Sequence, residues 1–362
     1  MINLNIPCHW DRSVLGDVLN QSTNSKGIII TEMYGCLASG VIGHGRDPNT
    51  VFSIGIDEAL EFREYVKECK IKFSYLLNTP FSTIRIKSDL VEIERYIEWI
   101  GKEFKPDAVV IASYELMKVF RNKFRDLPIH VSTIARVSRR EDIDKYGDIF
   151  PKKIIVQHDV NRNFNDLEVI IERAAEIGID VELMLTESCL RKCPYMQGHY
   201  DHVGRGRDDK MFHFTCNSEK LASPSEILKA NFIRPEDMYI YESMGINSFK
   251  ITGRSKKSLW LPEVIRAYLN RDFKGNLVRL LGIDSSISAE DWIFVENKAL
   301  DGFLDGFPRT GNVIDENEYC ESWAVKLFKE GNLRVNGFEY VVEDGKLVCK
   351  NGLSKLDLLY KG

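Results

Sequence analysis

The amino-acid sequence of 362 residues predicts an α/β fold, a TIM-like (β/α)8 barrel that carries a cysteine-bearing insertion and a small C-terminal β-rich appendage. Short apolar runs rich in β-branched residues alternate with longer stretches of helical period. Runs such as VVIA and KIIV are apolar on nearly every residue, which is typical of parallel strands covered on both faces. No G-x-G-x-x-G pattern follows the first run, which favours a closed barrel over an open dinucleotide-binding sheet.

The strands and helices of the barrel are predicted in strict alternation over residues 1–274. The predicted strands are 27–35, 72–78, 107–113, 129–135, 153–159, 180–186 and 248–253. The predicted helices between or after them are 57–69, 89–103, 114–126, 139–147, 165–176 and 258–269. An eighth strand is expected near 231–233 or 292–296.

Two segments break this alternation. Residues 187–222 follow the sixth predicted strand and contain three of the eight cysteines and three of the seven histidines. We expect this insertion at a βα loop, where the active sites of barrels lie. Residues 275–362 predict a helical stretch and then a β-hairpin, because Asn-Gly and Asp-Gly turns punctuate an alternating pattern.

Charge and hydropathy limit the classes of function. The 49 Lys and Arg residues against 54 Asp and Glu residues give a net charge of −5, which argues against nucleic acid as a partner bound through overall positive charge. The N-terminus lacks the pattern of a signal peptide, and no stretch approaches a membrane span. We therefore expect a cytoplasmic protein whose cysteines are thiols and whose substrate is a small molecule or a peptide.

The cysteines of the insertion predict a metal site. Cys189 and Cys193 stand at C-x3-C, so one helical turn would place both thiols on one face, and the loop can bring Cys216 to them. Grouped thiolates bind zinc or an iron–sulfur cluster. Either Cys320 or Cys36 could supply a fourth thiolate, and the alternative is a set of unpaired thiols that lie close by chance.

Polar residues at predicted strand ends are the candidates for catalysis, since strand ends converge over the barrel axis. These are Glu32, Asn78, Ser113, Ser132, Gln157, His158, Asp159 and Glu187. His158 and Asp159 could form an acid–base pair, with Glu187 nearby for proton transfer. Arg254 lies in the turn T-G-R-S-K-K, which could hold a carboxylate or a phosphate. The alternatives are oriented structural side chains and a solvated basic loop, and His199 and His202 are either outer partners of a metal site or plain loop residues.

Several segments, taken together in chain order, resemble the peptidase U32 family over about residues 27–275. They are EMYG, VSTIARV, IIVQHDVNRNFNDLEVI, ELMLTESCLRKCPY and RPEDMYIYESMGINSFKITGRSKKSLWLPEVIRAYL. The resemblance implies a TIM-like barrel. In the family's branch of oxygen-independent hydroxylation, it also implies a [4Fe–4S] cluster held by four cysteines.

The resemblance also implies which cysteines would hold the cluster. Cys189, Cys193 and Cys216 match the family's first three cysteine positions in order, with a tighter first spacing. Met238 stands where many members have a cysteine, so we take Cys320 as the fourth ligand, ahead of Cys36. Zinc is the alternative cofactor.

The function implied by the resemblance is that of an iron–sulfur enzyme, an oxygen-independent hydroxylase or another redox or Lewis-acid catalyst acting on a small molecule or peptide. An electron-donor protein and a heterodimer or homo-oligomer are the partners such an enzyme could have. The alternatives are a peptidase and a non-enzymatic, cluster-bearing partner protein. No H-E-x-x-H or G-x-S-x-G motif supports proteolysis.

Overall fold

Eight parallel strands form a closed barrel in the computed structural model, which describes residues 1–22, 25, 27–79, 90–256, 258–283, 289–309 and 315–350. The barrel strands are β1 (Ile2–Pro7), β2 (Ile28–Gly35), β3 (Lys72–Leu77), β4 (Ala108–Ile111), β5 (Ile129–Val131), β6 (Lys153–Ile155), β7 (Asp180–Met184) and β8 (Ser248–Lys250). Each strand pairs with the next along the chain, and β8 closes the barrel on β1. The predicted (β/α)8 fold is therefore confirmed.

One strand was misplaced by the sequence reading. The first barrel strand is β1, whose sequence INLNIP alternates asparagine with apolar residues, whereas the prediction looked for runs apolar throughout. The prediction of an eighth barrel strand near 231–233 or 292–296 is wrong. Residues 231–233 form no strand, and residues 293–295 pair outside the barrel. The cysteine-bearing insertion thus follows the seventh strand of the barrel, β7.

Helices cover the outside of the barrel and continue beyond it. They are α1 (Arg12–Ser22), α2 (Ile56–Glu68), α3 (Leu90–Trp99), α4 (Tyr114–Lys123), α5 (Arg140–Asp144), α6 (Phe164–Glu176), α7 (Met196–Gly204), α8 (Lys210–Ala222), α9 (Ser225–Lys229), α10 (Met238–Ser243), α11 (Trp260–Asn270), α12 (Leu277–Leu280), α13 (Ala289–Trp292) and α14 (Glu316–Lys329). A π-helical turn, Ile100–Phe104, extends α3, and 3₁₀ turns lie at Thr133–Ala135, His158–Arg162, Pro235–Asp237 and Asn297–Leu300. Each predicted helix has a counterpart, although residue 89, the predicted start of one, lies outside the described residues.

A buried charge network fills the end of the barrel where the strands begin. Lys153 Nζ lies 2.8 Å from a carboxylate oxygen of Glu32 and 2.9 Å from one of Glu182. Asn5 Nδ2 donates to Glu32 Oε1 at 3.1 Å. Burial acts against the charged form of Lys153, but the two carboxylates raise its pKa above the usual value. Glu32, expected among the strand-end residues, therefore belongs to the barrel interior and holds the strands together.

The C-terminal segment forms two small antiparallel sheets. One joins β9 (Ile293–Val295) to β10 (Leu333–Val335), and the other is a hairpin of β11 (Tyr340–Glu343) and β12 (Lys346–Cys349). The hairpin turns at Asp-Gly as predicted, with positive φ at both residues. The Asn-Gly at 336–337 does not close a hairpin, because β10 pairs with β9. The division at 274/275 stays a prediction, and its last residues, 351–362, lie outside the described part.

Arg162 joins this segment to the barrel. Its side chain is fully buried, and its guanidinium lies over the rings of Phe232, Phe303 and Phe307 at 4.7, 5.3 and 5.0 Å. Phe303 and Phe307 come from the C-terminal segment, so cation–π contacts hold it against the loop after β6. Among the helices in the described ranges, none combines the length and the hydropathy needed to cross a lipid bilayer.

Candidate active site

A cavity of about 170 Å³ opens at the end of the barrel where the strands finish. Its walls come from strand ends and from the loops that follow β2, β7 and β8. Asn78, Ser132 and Glu187 line it, as the strand-end rule predicts. Ser113 and Gln157 make local structural contacts instead. Ser113 Oγ caps α4, and Gln157 Nε2 donates a hydrogen bond to Asp159.

The three cysteines of the insertion meet at the cavity wall. The insertion folds into α7 and α8, which place Cys189 and Cys193 before α7 and Cys216 within α8. The thiols of Cys193 and Cys216 hydrogen-bond to each other, and this bond lowers the pKa of Cys193 to about 6. Lys220, on the same wall, also lowers it. Burial raises the pKa of Cys189 well above the usual value. All three cysteines therefore line the same cavity, and their role as ligands stays a prediction.

The two candidates for a fourth thiolate lie elsewhere. Cys320 is buried in α14, which packs against α9 and β12, and the cations that act on its thiol are Arg162, Lys229 and Arg191. Cys36 Sγ accepts a hydrogen bond of 3.1 Å from Arg254 Nη1. Within the described ranges, neither thiol lines the cavity. The structure therefore does not bring Cys320 together with the other three predicted ligands.

His158 and Glu187 lie next to Cys189. One ring nitrogen of His158, one carboxylate oxygen of Glu187 and the thiol sulfur of Cys189 are all within 4.8 Å of one another. His158 is 1% exposed, and its Nε2 has no hydrogen-bond partner among the described residues. Burial acts to raise the pKa of Glu187, but His158 and the bonds from Cys189 bring it below the usual value. This group can move a proton or ligate a metal ion.

The acid–base prediction required Asp159 to pair with His158, but Asp159 bonds to other residues. Its Oδ1 accepts hydrogen bonds from the backbone N–H of Lys192 at 3.1 Å and from Asn231 Nδ2 at 2.8 Å. Its Oδ2 accepts one from Gln157 Nε2 at 2.8 Å. The side chains of His158 and Asp159 point in different directions. Through these hydrogen bonds, Asp159 joins the cysteine-bearing loop to the loop after β6.

The predicted anion-binding residue Arg254 faces the cavity but already has protein partners. Besides Cys36, its guanidinium donates from Nη2 to the backbone oxygen of His44 at 2.7 Å. Lys257, the last cation of the predicted basic turn, lies outside the described residues. Arg254 therefore fixes the loop after β2 and presents only part of its charge to the cavity.

Sequence reasoning missed three cations that line the cavity, which are Lys220, Arg46 and Lys250. Arg46 lies in the loop after β2, and the rule that barrel sites lie in βα loops could have found it. Lys250 ends β8, with its Nζ 3.7 Å from the centre of the Tyr34 ring. Burial lowers the pKa of Lys250 to about 8, so this amine changes charge close to neutral pH.

Thiols, carboxylates and cations gathered at the carboxyl ends of barrel strands define an α/β-barrel protein with an enzyme-like site. The chain belongs to Peptidase family U32, whose sequence profile matches residues 46–274. The family resemblance found in the sequence is thereby confirmed.

The relatives of this chain carry two kinds of name. A protein of Methanocaldococcus jannaschii named as an uncharacterized protease is 26% identical over 80% of this chain and 86% of its own length. The tRNA hydroxylation protein P of Helicobacter pylori is 23% identical over 92% of this chain and 80% of its own length. A solved U32 peptidase, Mk0906, has a TM-score of 0.48 and 14% identity, covering 70% of this chain and 94% of that one.

Proposed function

We propose that this protein is an iron–sulfur enzyme that modifies a small molecule or a peptide in the cavity at the barrel mouth, with oxygen-independent hydroxylation as the reaction class. The observation that carries the proposal is the gathering of Cys189, Cys193 and Cys216 at the cavity wall. The similarity to a tRNA hydroxylation protein over most of the chain supports the reaction class.

The residues present fit a cluster through three thiolates. Cysteine thiolates are the usual ligands of [4Fe–4S] clusters, and zinc takes the same donors. The buried Lys220 offsets part of the negative charge that three thiolates would bring, since it lowers the pKa of both Cys193 and Cys216. When bound, a cluster held by three thiolates supplies one iron able to act as a Lewis acid on a substrate oxygen.

The chain's own residues would position the substrate and move protons. Arg46 and Arg254 bring positive charge to the cavity wall, which suits a carboxylate-bearing substrate or co-substrate. His158 has a ring nitrogen close to a carboxylate oxygen of Glu187, and its Nε2 has no hydrogen-bond partner among the described residues, so the pair can hold a proton and pass it on. Lys250 can accept or release a proton at the cavity floor.

Anaerobic purification followed by iron and acid-labile sulfide analysis tests the proposal. We expect about four irons and four sulfides per chain. We expect the cluster to be lost in Cys189→Ala, Cys193→Ala and Cys216→Ala. Cys349→Ala, in the C-terminal hairpin, is the matched control and should keep the cluster, as should Cys320→Ala and Cys36→Ala. A folded protein that contains no iron would refute the proposal.

A peptidase is the second candidate, favoured by the grouping of His158, Glu187 and Cys189. A thiol, an imidazole and a carboxylate are the parts of a cysteine hydrolase, although burial keeps this thiol protonated. Hydrolysis of denatured collagen or of a peptide library distinguishes the two. A peptidase would lose activity in Cys189→Ala and His158→Ala but keep it in Cys216→Ala, whereas a cluster enzyme would not tolerate Cys216→Ala.

A further inference from the structure

We propose that His199, Asp209 and His213 form a second metal site, for a divalent first-row transition ion such as Zn²⁺ or Fe²⁺, on the wall of the same cavity. The three residues line the cavity but include no thiol, so the site is chemically distinct from the cysteine group. One donor atom from each lies within 4.8 Å of the other two.

The distances between donor atoms suit one ion. Asp209 Oδ2 lies 3.4 Å from His199 Nε2 and 3.1 Å from His213 Nε2. Ligands bound at about 2.0–2.2 Å around a tetrahedral or octahedral ion are separated by about 2.9–3.5 Å. Both imidazoles therefore hold Nε2 near the same carboxylate oxygen, at the spacing that a shared ion requires.

The side chain of Asp209 is directed towards the two histidines and not towards the first turn of its helix, where an aspartate at this position usually bonds. It is the N-cap residue of α8, a position where an aspartate side chain ordinarily accepts a hydrogen bond from the first turn. Here the side chain makes no such bond and turns to the two imidazoles. The residue is only 5% exposed, and a buried carboxylate directed away from its cap needs a compensating positive group.

The two histidines approach this carboxylate from different helices. His213 follows Asp209 by four residues, so the first turn of α8 stacks the two side chains on one face. His199 comes from α7, and its ring stacks on Phe212 with centroids 4.6 Å apart and planes within 7°. This stacking fixes the imidazole plane, which is the orientation that a metal ligand needs.

Two imidazoles and one carboxylate are the donor set of catalytic zinc sites and of non-haem iron(II) sites. Three protein ligands leave coordination positions for water or for an oxygen of the substrate. Because the site borders the cavity, such a ligand would share the space with a substrate held near Cys189 and Arg46. The remaining positions on the ion would therefore be filled by an oxygen donor, either water or the substrate.

Zinc titration of the anaerobically purified protein, with a chromophoric chelator as competitor, tests this site. We expect one Zn²⁺ per chain to bind, and to bind at least ten-fold more weakly in His199→Ala, Asp209→Asn and His213→Ala. His202→Ala is the matched control, since His202 lies in the same helix as His199 but outside the group, and should bind as the unaltered protein does. His213 is half exposed, so its variant removes a ligand with little effect on the core.

Iron and sulfide are measured in the same samples, so the fate of the cysteine group is followed separately. Binding that is unchanged in Asp209→Asn and His213→Ala would overturn the proposal and leave two histidines hydrogen-bonded to an aspartate. Loss of zinc binding in Cys216→Ala, with binding kept in Asp209→Asn, would also overturn it by assigning the zinc to the thiols.

Discussion

A ring nitrogen of His158 lies within 4.8 Å of the thiol sulfur of Cys189, although the two residues belong to the loops of different strands. The contact exists because β6 and β7 are neighbours in the barrel, so the loops that follow them start side by side. Here an imidazole whose Nε2 has no hydrogen-bond partner in the described part of the chain lies beside a buried thiol, and this relationship underlies both functions considered for the site.

Replacing Lys153 by methionine should strongly destabilise the barrel. The change leaves Glu32 and Glu182 buried without their shared cation, and breaking such a pair costs about 3–5 kcal/mol. Urea unfolding at neutral pH measures the loss. The matched control is Lys152→Met, whose side chain is 59% exposed and pairs with the exposed Asp180, and we expect it to cost less than about 1 kcal/mol. Equal losses in the two variants would contradict the role of the network.

Stability should fall as the pH is lowered through the titration range of histidine. Burial, helped by the nearby Arg254, lowers the pKa of His44 to about 3, so the folded protein keeps this imidazole neutral. The unfolded chain takes up a proton below about pH 6.5, so this contribution is complete above that pH and is lost towards pH 3. The slope for one such group is at most about 1.4 kcal/mol per pH unit.

Urea unfolding between about pH 7 and about pH 5 checks this dependence, and His130 and Lys153 hold the pKa of the buried Glu32 well below its usual value. We expect His44→Gln to flatten the dependence in part, since burial also lowers the pKa of His9 and of His199. A wild-type protein that is equally stable across the window would contradict the prediction.

Gly253→Ala should damage the turn that carries Arg254. Gly253 has a φ of +139°, and a Cβ there would lie far inside van der Waals contact with the buried ring of Trp260. We expect a loss of more than about 2 kcal/mol, since the backbone strain and the overlap add. Gly198→Ala is the control, because its Cβ meets nothing within 4 Å and lies in a helix, where alanine gains about 0.5–1 kcal/mol. Thermal unfolding of both variants gives the comparison.

Asp159→Ala should loosen the cysteine-bearing loop without unfolding the barrel. The variant removes the acceptor for the Lys192 N–H and for Asn231, and each lost hydrogen bond of this kind costs about 1–3 kcal/mol. Hydrogen exchange should therefore rise over residues 187–204. Asp208→Ala, at an exposed position of the same insertion, should leave the exchange pattern as it is. Unchanged exchange in Asp159→Ala would show that other contacts hold the loop.

The fold was largely predictable because it depends on local patterns. Alternation of apolar runs and helical stretches located seven of the eight barrel strands, and Asp-Gly located the hairpin. The strand β1 was not predicted, because Asn5 interrupts its apolar pattern. That asparagine is explained by Glu32 and Glu182, partners that only the closed barrel brings to it.

The site was predictable only where a residue's position follows from a strand end or a short spacing. His158, Glu187, Cys189 and Cys193 meet that condition, whereas Cys216 is distant in the sequence and was included because a loop can fold back to the other two. Asp209 does not meet it, because its place depends on how α7 and α8 cross the barrel mouth. Asp159 was assigned by its adjacency to His158, and adjacency does not determine which way a side chain points.

The aromatic surroundings of Arg162 bear on how the protein responds to dissolved salt. At 1 M salt the screening length falls to about 3 Å, so exposed ion pairs weaken, whereas the attraction between a buried guanidinium and phenyl rings is screened much less. Surface pairs such as Arg140 and Glu176 should loosen as ionic strength rises, whereas the rings of Phe303 and Phe307 should stay on their cation. The C-terminal segment should therefore remain attached to the barrel in concentrated salt solutions that weaken exposed ion pairs.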